Sequence, residues 1–146
     1  MRKLHPQTIP AKTKDLISLF QKGQPEFLKK FYLSGGTALS LQFGHRESVD
    51  LDFFTQSDFN PRTLQSKLEK YGQLKDLQLG ENTLNAFLRG AQIQFLGYHY
   101  PLLKPVVNWK NIPISSVIDI ACTKLQTIGM RGSKKGFLVV LIFLNH

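Results

Sequence analysis

The chain has 146 residues, 42% of them hydrophobic, enough for one globular domain with a real core. Lysine and arginine number 19 against 10 acids, a formal charge of +9 that favours polyanionic partners. The single cysteine, Cys122, excludes disulfides within the chain and a cysteine-built zinc site. The basic N-terminal stretch lacks the apolar core of a secretory signal. The longest apolar run, residues 137–144, is far shorter than the ~20 residues of a membrane span. The expectation is a cytoplasmic protein with no membrane partner.

Residues 12–22 read as an amphipathic helix with Leu16, Ile17, Leu19 and Phe20 as its apolar stripe. Pro25 opens a second short helix reaching residue 30. Residues 31–33 read as the first strand. Gly35 and Gly36 form a turn, and a helix follows over 37–43, with Leu39 and Phe43 at i, i+4 and Gly44 as its C′ residue. Residues 49–54 read as a strand, alternating over their first four positions. Asn60-Pro61 starts a helix through Leu64, Leu68 and Tyr71, stopped by Gly72. Residues 74–79 and 83–88 pair around a Gly80-Glu81-Asn82 turn, and Arg89-Gly90 turns into a strand over 92–98. Pro101, Pro105 and Pro113 punctuate a loop containing Trp109. Ser115 or Ser116 caps a long helix to about residue 130, Gly132 breaks it, and an apolar helix runs to the end. This order predicts an α+β domain with a small mixed β-sheet flanked by helices. Residues 1–30 supply N-terminal helices, 31–100 the sheet core, and 114–146 the C-terminal helices.

The most informative stretch is FYLSGGTALSLQFGHRESVDLDFF. Asp50 and Asp52 stand at i, i+2 in a strand, so they share a face roughly 7 Å apart along the chain. Strands disfavour aspartate, and two unpaired like charges repel. A hard cation such as Mg²⁺ or Mn²⁺ resolves that conflict, since it takes one or two carboxylates plus phosphate oxygens. Gly35 and Gly36 let a ligand approach the backbone, and a helix beginning near Thr37 aims its free amides at phosphate. Together these residues suit a nucleoside triphosphate and a metal-assisted phosphoryl displacement.

The pattern resembles the DNA polymerase beta-type nucleotidyltransferase superfamily, and within it the AbiEii/AbiGii toxin family. The resemblance rests on Gly35-Gly36-Thr37-Ala38-Leu39, on the run from Arg46 through Ser48 and Asp50-Leu51-Asp52 to Phe54, on Lys124-Leu125, and on Arg131-Gly132-Ser133-Lys134-Lys135. It implies a polymerase beta-type nucleotidyltransferase fold and a toxin of an AbiE-type toxin–antitoxin or phage-defence system. It also implies an NTP donor, an RNA or tRNA acceptor and an antitoxin protein as partner. Asp50 and Asp52 would bind the metal. Gly35, Gly36, Thr37, Arg46 and Ser48 would contact the nucleotide, and Lys124 would be catalytic.

Simpler readings stand beside several of these roles. Val117, Ala121, Lys124 and Ile128 fall on one helical stripe, so Lys124 either faces a cleft or snorkels. Arg46 suits phosphate oxygens or a pairing with Glu47 or Asp50. Arg131, Lys134 and Lys135 either hold anions or compensate a helix C-terminus. Tyr98 and Tyr100 either stack on a base or pack the loop. Ser116 and Asp119 have capping-box spacing, which places Asp119 outside the site. The family pattern is incomplete in two places. Gln92 and Gln94 occupy the strand that usually carries a third carboxylate, leaving Asp76 and Glu81 as other candidates. Gly136 and Val139 replace two acids, and the apolar run after them predicts a truncated relative or a buried interface. An impaired relative that only binds nucleotide or RNA, and a basic interaction module, are therefore the alternatives.

Overall fold

The computed structural model describes residues 4–44 and 49–131, with side chains described through residue 126. Helix α1 (Ala11–Gly23) buries Thr13, Leu16, Ile17 and Phe20, one face at helical spacing. A 3-10 segment, Glu26–Lys30, buries Phe27 and Leu28. Strand β1 (Tyr32–Ser34) runs into α2 (Gly35–Phe43). The glycine pair thus lies inside the first turn of α2 rather than ahead of it. Six consecutive residues of α2, Thr37 to Gln42, are buried, as suits a helix enclosed on all sides. It closes at Gly44, whose φ of 64° is the left-handed conformation that glycine adopts without steric cost.

Strand β2 (Asp50–Thr55) is followed by α3 (Pro61–Leu68). The Asn60 side chain caps α3, accepting from the Arg62 and Thr63 amides at 2.9 and 3.3 Å. Strands β3 (Leu74–Gly80), β4 (Thr83–Leu88) and β5 (Ala91–Gly97) form successive antiparallel pairs. Two short strands then appear where the sequence predicts a loop: β6 (Val107–Trp109) and β7 (Ile112–Ile114). Their turn is Lys110-Asn111, both at positive φ, which matches the twist of a tight hairpin. The sheet therefore extends past residue 100. Helix α4 (Val117–Arg131) completes the described chain.

The seven strands form one mixed sheet in the order β3-β4-β5-β2-β1-β7-β6. β2 runs parallel to β5 and antiparallel to β1, while β1 runs parallel to β7. Alternation divides the sheet into two faces. Leu33, Leu51, Phe53, Ile93, Phe95, Leu84 and Leu88 are buried in the core. The Phe53 and Phe95 rings stack at 5.0 Å, and Phe20 of α1 meets Phe53 edge-on at 6.3 Å. The opposite face carries an apolar row, Tyr32, Phe54 and Leu96, beside two more polar ones set by strand register. One reads Ser34, Asp52, Gln94, Asn85, and the other Asp50, Gln92, Phe87, Lys75. This is the mixed architecture expected of a nucleotidyltransferase-type fold. Arg46 and Ser48, the segment 132–135 and the apolar run 137–144 lie outside the described residues, as do the side chains of Ile128 and Arg131.

Candidate active site

Strand β2 places the two acids as the alternation predicts. Leu51 and Phe53 enter the core, which turns Asp50 and Asp52 to the opposite face, both half-buried. Because β1 is antiparallel to β2, Ser34 sits opposite Asp52, and α2 begins beside that carboxylate. Gly35 has a φ of +68°, and a Cβ there would lie 2.4 Å from Asp52 Oδ2. The sequence reading assigned this space to a ligand, whereas the Asp52 side chain itself fills it. Glycine is required at 35 so that the acid can lean against the start of α2.

Thr37 is fully buried, and its hydroxyl donates to the Asp50 carbonyl. Its side chain docks α2 onto β2, so any contact with phosphate falls to the backbone of this turn. Ser34 is the N-cap of α2 but makes no side-chain capping bond, and its hydroxyl accepts from Ser115 Oγ at 2.9 Å. The first amides of α2, which have no intrahelical acceptor, are thus left without a capping side chain from Ser34.

Among the described residues, neither Asp50 nor Asp52 accepts a hydrogen bond or forms an ion pair. Burial, and next the neighbouring Asp50 carboxylate, push Asp52 up to about 6 from the usual 3.8. A half-buried acid pair with no cationic partner among the described residues is an unfavourable arrangement that a metal ion would relieve. The donor set fits one hard divalent cation held by two carboxylates and completed by water or phosphate oxygens. Among the described residues a third acid is not at hand. Gln92 is opposite Asp50 and Gln94 is opposite Asp52. Asp76 and Glu81 belong to β3 and the β3–β4 turn, and two strands separate β3 from β2. No group of three His, Cys, Asp or Glu among the described residues could hold a metal.

Lys124 is exposed on α4, and no hydrogen bond or ion pair among the described residues joins it to the aspartates. Ala121 on the same predicted stripe is buried and Val117 half-buried, so the stripe does not carry Lys124 into the core. Asp119 behaves as the capping spacing predicts, its amide donating to Ser116 Oγ at 3.1 Å. Its carboxylate also accepts from Ser116 Oγ and from the Leu103 and Lys104 amides, at 2.8, 2.8 and 3.1 Å. That clasp fixes the loop after β5.

The loop and α4 enclose a cavity of about 350 Å³ on the β1 side of the aspartates. Tyr32 and Ser34 line it from the sheet, Tyr98 and Tyr100 from the loop, and Cys122 and Gln126 from α4. The Tyr98 hydroxyl donates to Gln126 Oε1 at 2.5 Å, and its ring lies 5.1 Å from that of Tyr100. The bare sequence favoured loop packing for these tyrosines. Their place on a cavity beside Asp52 became visible only once the Ser34–Asp52 register was known.

Residues 18–108 match the family described as nucleotidyl transferase AbiEii toxin, type IV TA system. An uncharacterized protein of Aquifex aeolicus (strain VF5) is 40% identical over 111 residues, covering 73% of this chain and 54% of the relative. The chain spans about half the length of that curated relative. No solved structure matches. No helix among the described residues is long and apolar enough to cross a membrane.

Proposed function

The chain belongs to the AbiEii family of type IV toxin–antitoxin nucleotidyltransferases, and from that premise we propose that its open sheet face moves a nucleotide from an NTP to a hydroxyl acceptor, an RNA or tRNA 3′ end. The reading rests on one observation: Asp50 and Asp52 share one face of β2, unpaired among the described residues, and Asp52 abuts the first turn of α2 at Gly35. The backbone of Gly35, Gly36 and Thr37 receives the phosphates at a helix N-terminus. The tyrosine-lined cavity beside Ser34 takes the nucleoside. Mg²⁺ or Mn²⁺, held by Asp50 and Asp52, would neutralise charge on the phosphate oxygens. The acceptor oxygen bonds to the α-phosphorus, the bond to pyrophosphate breaks, and the hydroxyl proton passes to the aspartate pair. Lys124, which is exposed on α4, and Arg46 and Ser48, which lie beyond the described residues, would contact the nucleotide in this reading.

Incubation with each α-radiolabelled NTP, MgCl₂ and total RNA tests this. Label enters RNA with the wild-type chain and falls by about 100-fold or more with Asp50→Ala/Asp52→Ala. Transfer that survives the double substitution sinks the site. A second reading is favoured by Gln92 and Gln94 at the positions facing the two acids. In that reading the chain binds Mg²⁺ and NTP but transfers nothing, and an antitoxin protein or RNA is held without chemistry.

A further inference from the structure

The side of the aspartates away from the nucleoside cavity carries a different surface. Alternation along β4 turns Leu84, Ala86 and Leu88 inward and Thr83, Asn85 and Phe87 outward. Phe87 is 38% exposed, in a row whose other members, Asp50, Gln92 and Lys75, are polar or charged. It shares a row with Asp50, with Gln92 between them and exposed Lys75 beyond. Adjacent strands lie about 4.8 Å apart, so Phe87 stands roughly 10 Å from Asp50.

Basic side chains frame this aromatic ring. Phe87, Lys75 and Arg89 line one cavity of about 530 Å³, together with Gln73, Asp76 and Gly90. Lys12 reaches the same end of the sheet, its Cδ 2.9 Å from the place a Gly90 Cβ would occupy. Arg89 is steadied by donating Nε to the Tyr71 carbonyl at 2.7 Å, which presents the rest of its guanidinium outward. Two cations, Lys75 and Arg89, thus share the cavity with one acid, Asp76, and Lys12 lies at its Gly90 end, in a chain of net charge +9. An exposed ring on a sheet, edged by cations, is the composition that binds unpaired bases and their phosphates.

We propose that the row from Gln92 through Phe87 to Lys75, with Arg89 and Lys12 beside it, is a track for single-stranded RNA. A base near the 3′ end stacks on Phe87, Lys75 and Arg89 hold the phosphates on its 5′ side, and the terminal hydroxyl meets the aspartates. The inference rests on the transfer reading above and supplies its acceptor surface. Donor and acceptor then approach the aspartates from opposite flanks, β1 on one side and β5 on the other, as an in-line displacement requires.

The test is fluorescence anisotropy of the full chain with a short fluorescein-labelled single-stranded RNA bearing a free 3′-hydroxyl. Phe87→Ala weakens binding roughly ten- to a hundred-fold, and Phe87→Tyr stays within about threefold of wild type. Lys75→Gln/Arg89→Gln lowers the slope of log affinity against log salt by about 1.4, two phosphate contacts at about 0.7 each. Full affinity in Phe87→Ala, an unchanged salt slope in the double variant, or equal binding of a blunt RNA duplex overturns the track. Altered self-association of Phe87→Ala with intact RNA affinity assigns the patch to a protein contact and also overturns it. The two readings fail separately. Loss of RNA binding in these variants without any nucleotide transfer leaves the track standing and removes the chemistry. Transfer to RNA with unchanged KM in Phe87→Ala does the reverse.

Discussion

Asp52→Asn is expected to stabilise the metal-free protein at neutral pH. Asp52 is pushed up to about 6 from 3.8, so the folded chain binds a proton that the unfolded chain releases between those values. Its contribution to stability is fully present below pH 3.8 and is lost as pH rises through about 6. Above that pH the folded state carries the whole penalty of an ionised, half-buried acid. Roughly two units at 1.36 kcal/mol each give about 3 kcal/mol. For a chain of this size that is a gain of roughly 6–12 °C in Tm. Asparagine keeps the shape and removes the charge. Differential scanning fluorimetry in EDTA should therefore show a higher Tm for the variant at pH 7.5 and none of that gain at pH 3.5. Adding MgCl₂ should raise the Tm of wild type and not of the variant, since only a ligand of the folded state stabilises it. A variant no more stable than wild type at pH 7.5, or equally stabilised at both pH values, refutes the reasoning.

Gly35→Ala forces a side chain into a φ of +68° and a Cβ to within 2.4 Å of Asp52 Oδ2. The backbone conformation alone costs about 1–2 kcal/mol, and the displaced carboxylate should abolish the Mg²⁺-dependent rise in Tm even where the fold survives. Asp119→Ala removes the acceptor for two loop amides and the Ser116 hydroxyl. A loss of about 2–3 kcal/mol in chemical denaturation is expected, together with faster protease cleavage near Leu103; an unchanged cleavage pattern would show that the clasp does not hold the loop.

The aspartate strand was legible because two local rules agree there. Alternation puts Leu51 and Phe53 on one face, and strand propensity makes acids on the other face conspicuous. The Asn60 cap, the Gly44 terminus and the turns at Gly80-Glu81-Asn82 and Arg89-Gly90 were equally readable, since each depends on chemistry within a few residues. The β6–β7 hairpin was not. Pro113 sits inside β7, and prolines on both sides favour a loop reading. The available signal was Asn111 in a two-residue turn between Trp109 and Ile112. Phe87 lay in a strand read correctly, yet its outward aim and its row with Asp50 depend on pairing across three strands. Exposure of Lys124 likewise depends on how α4 settles, which helical spacing alone leaves open.

The stack of Phe53 on Phe95 lies directly beneath the aspartate face, on the reverse of the same two strands. The acids cannot swivel to the wrong side unless those rings are driven into water, a penalty of several kcal/mol. Repacking of those rings is accordingly expected to move both carboxylates even where the fold survives.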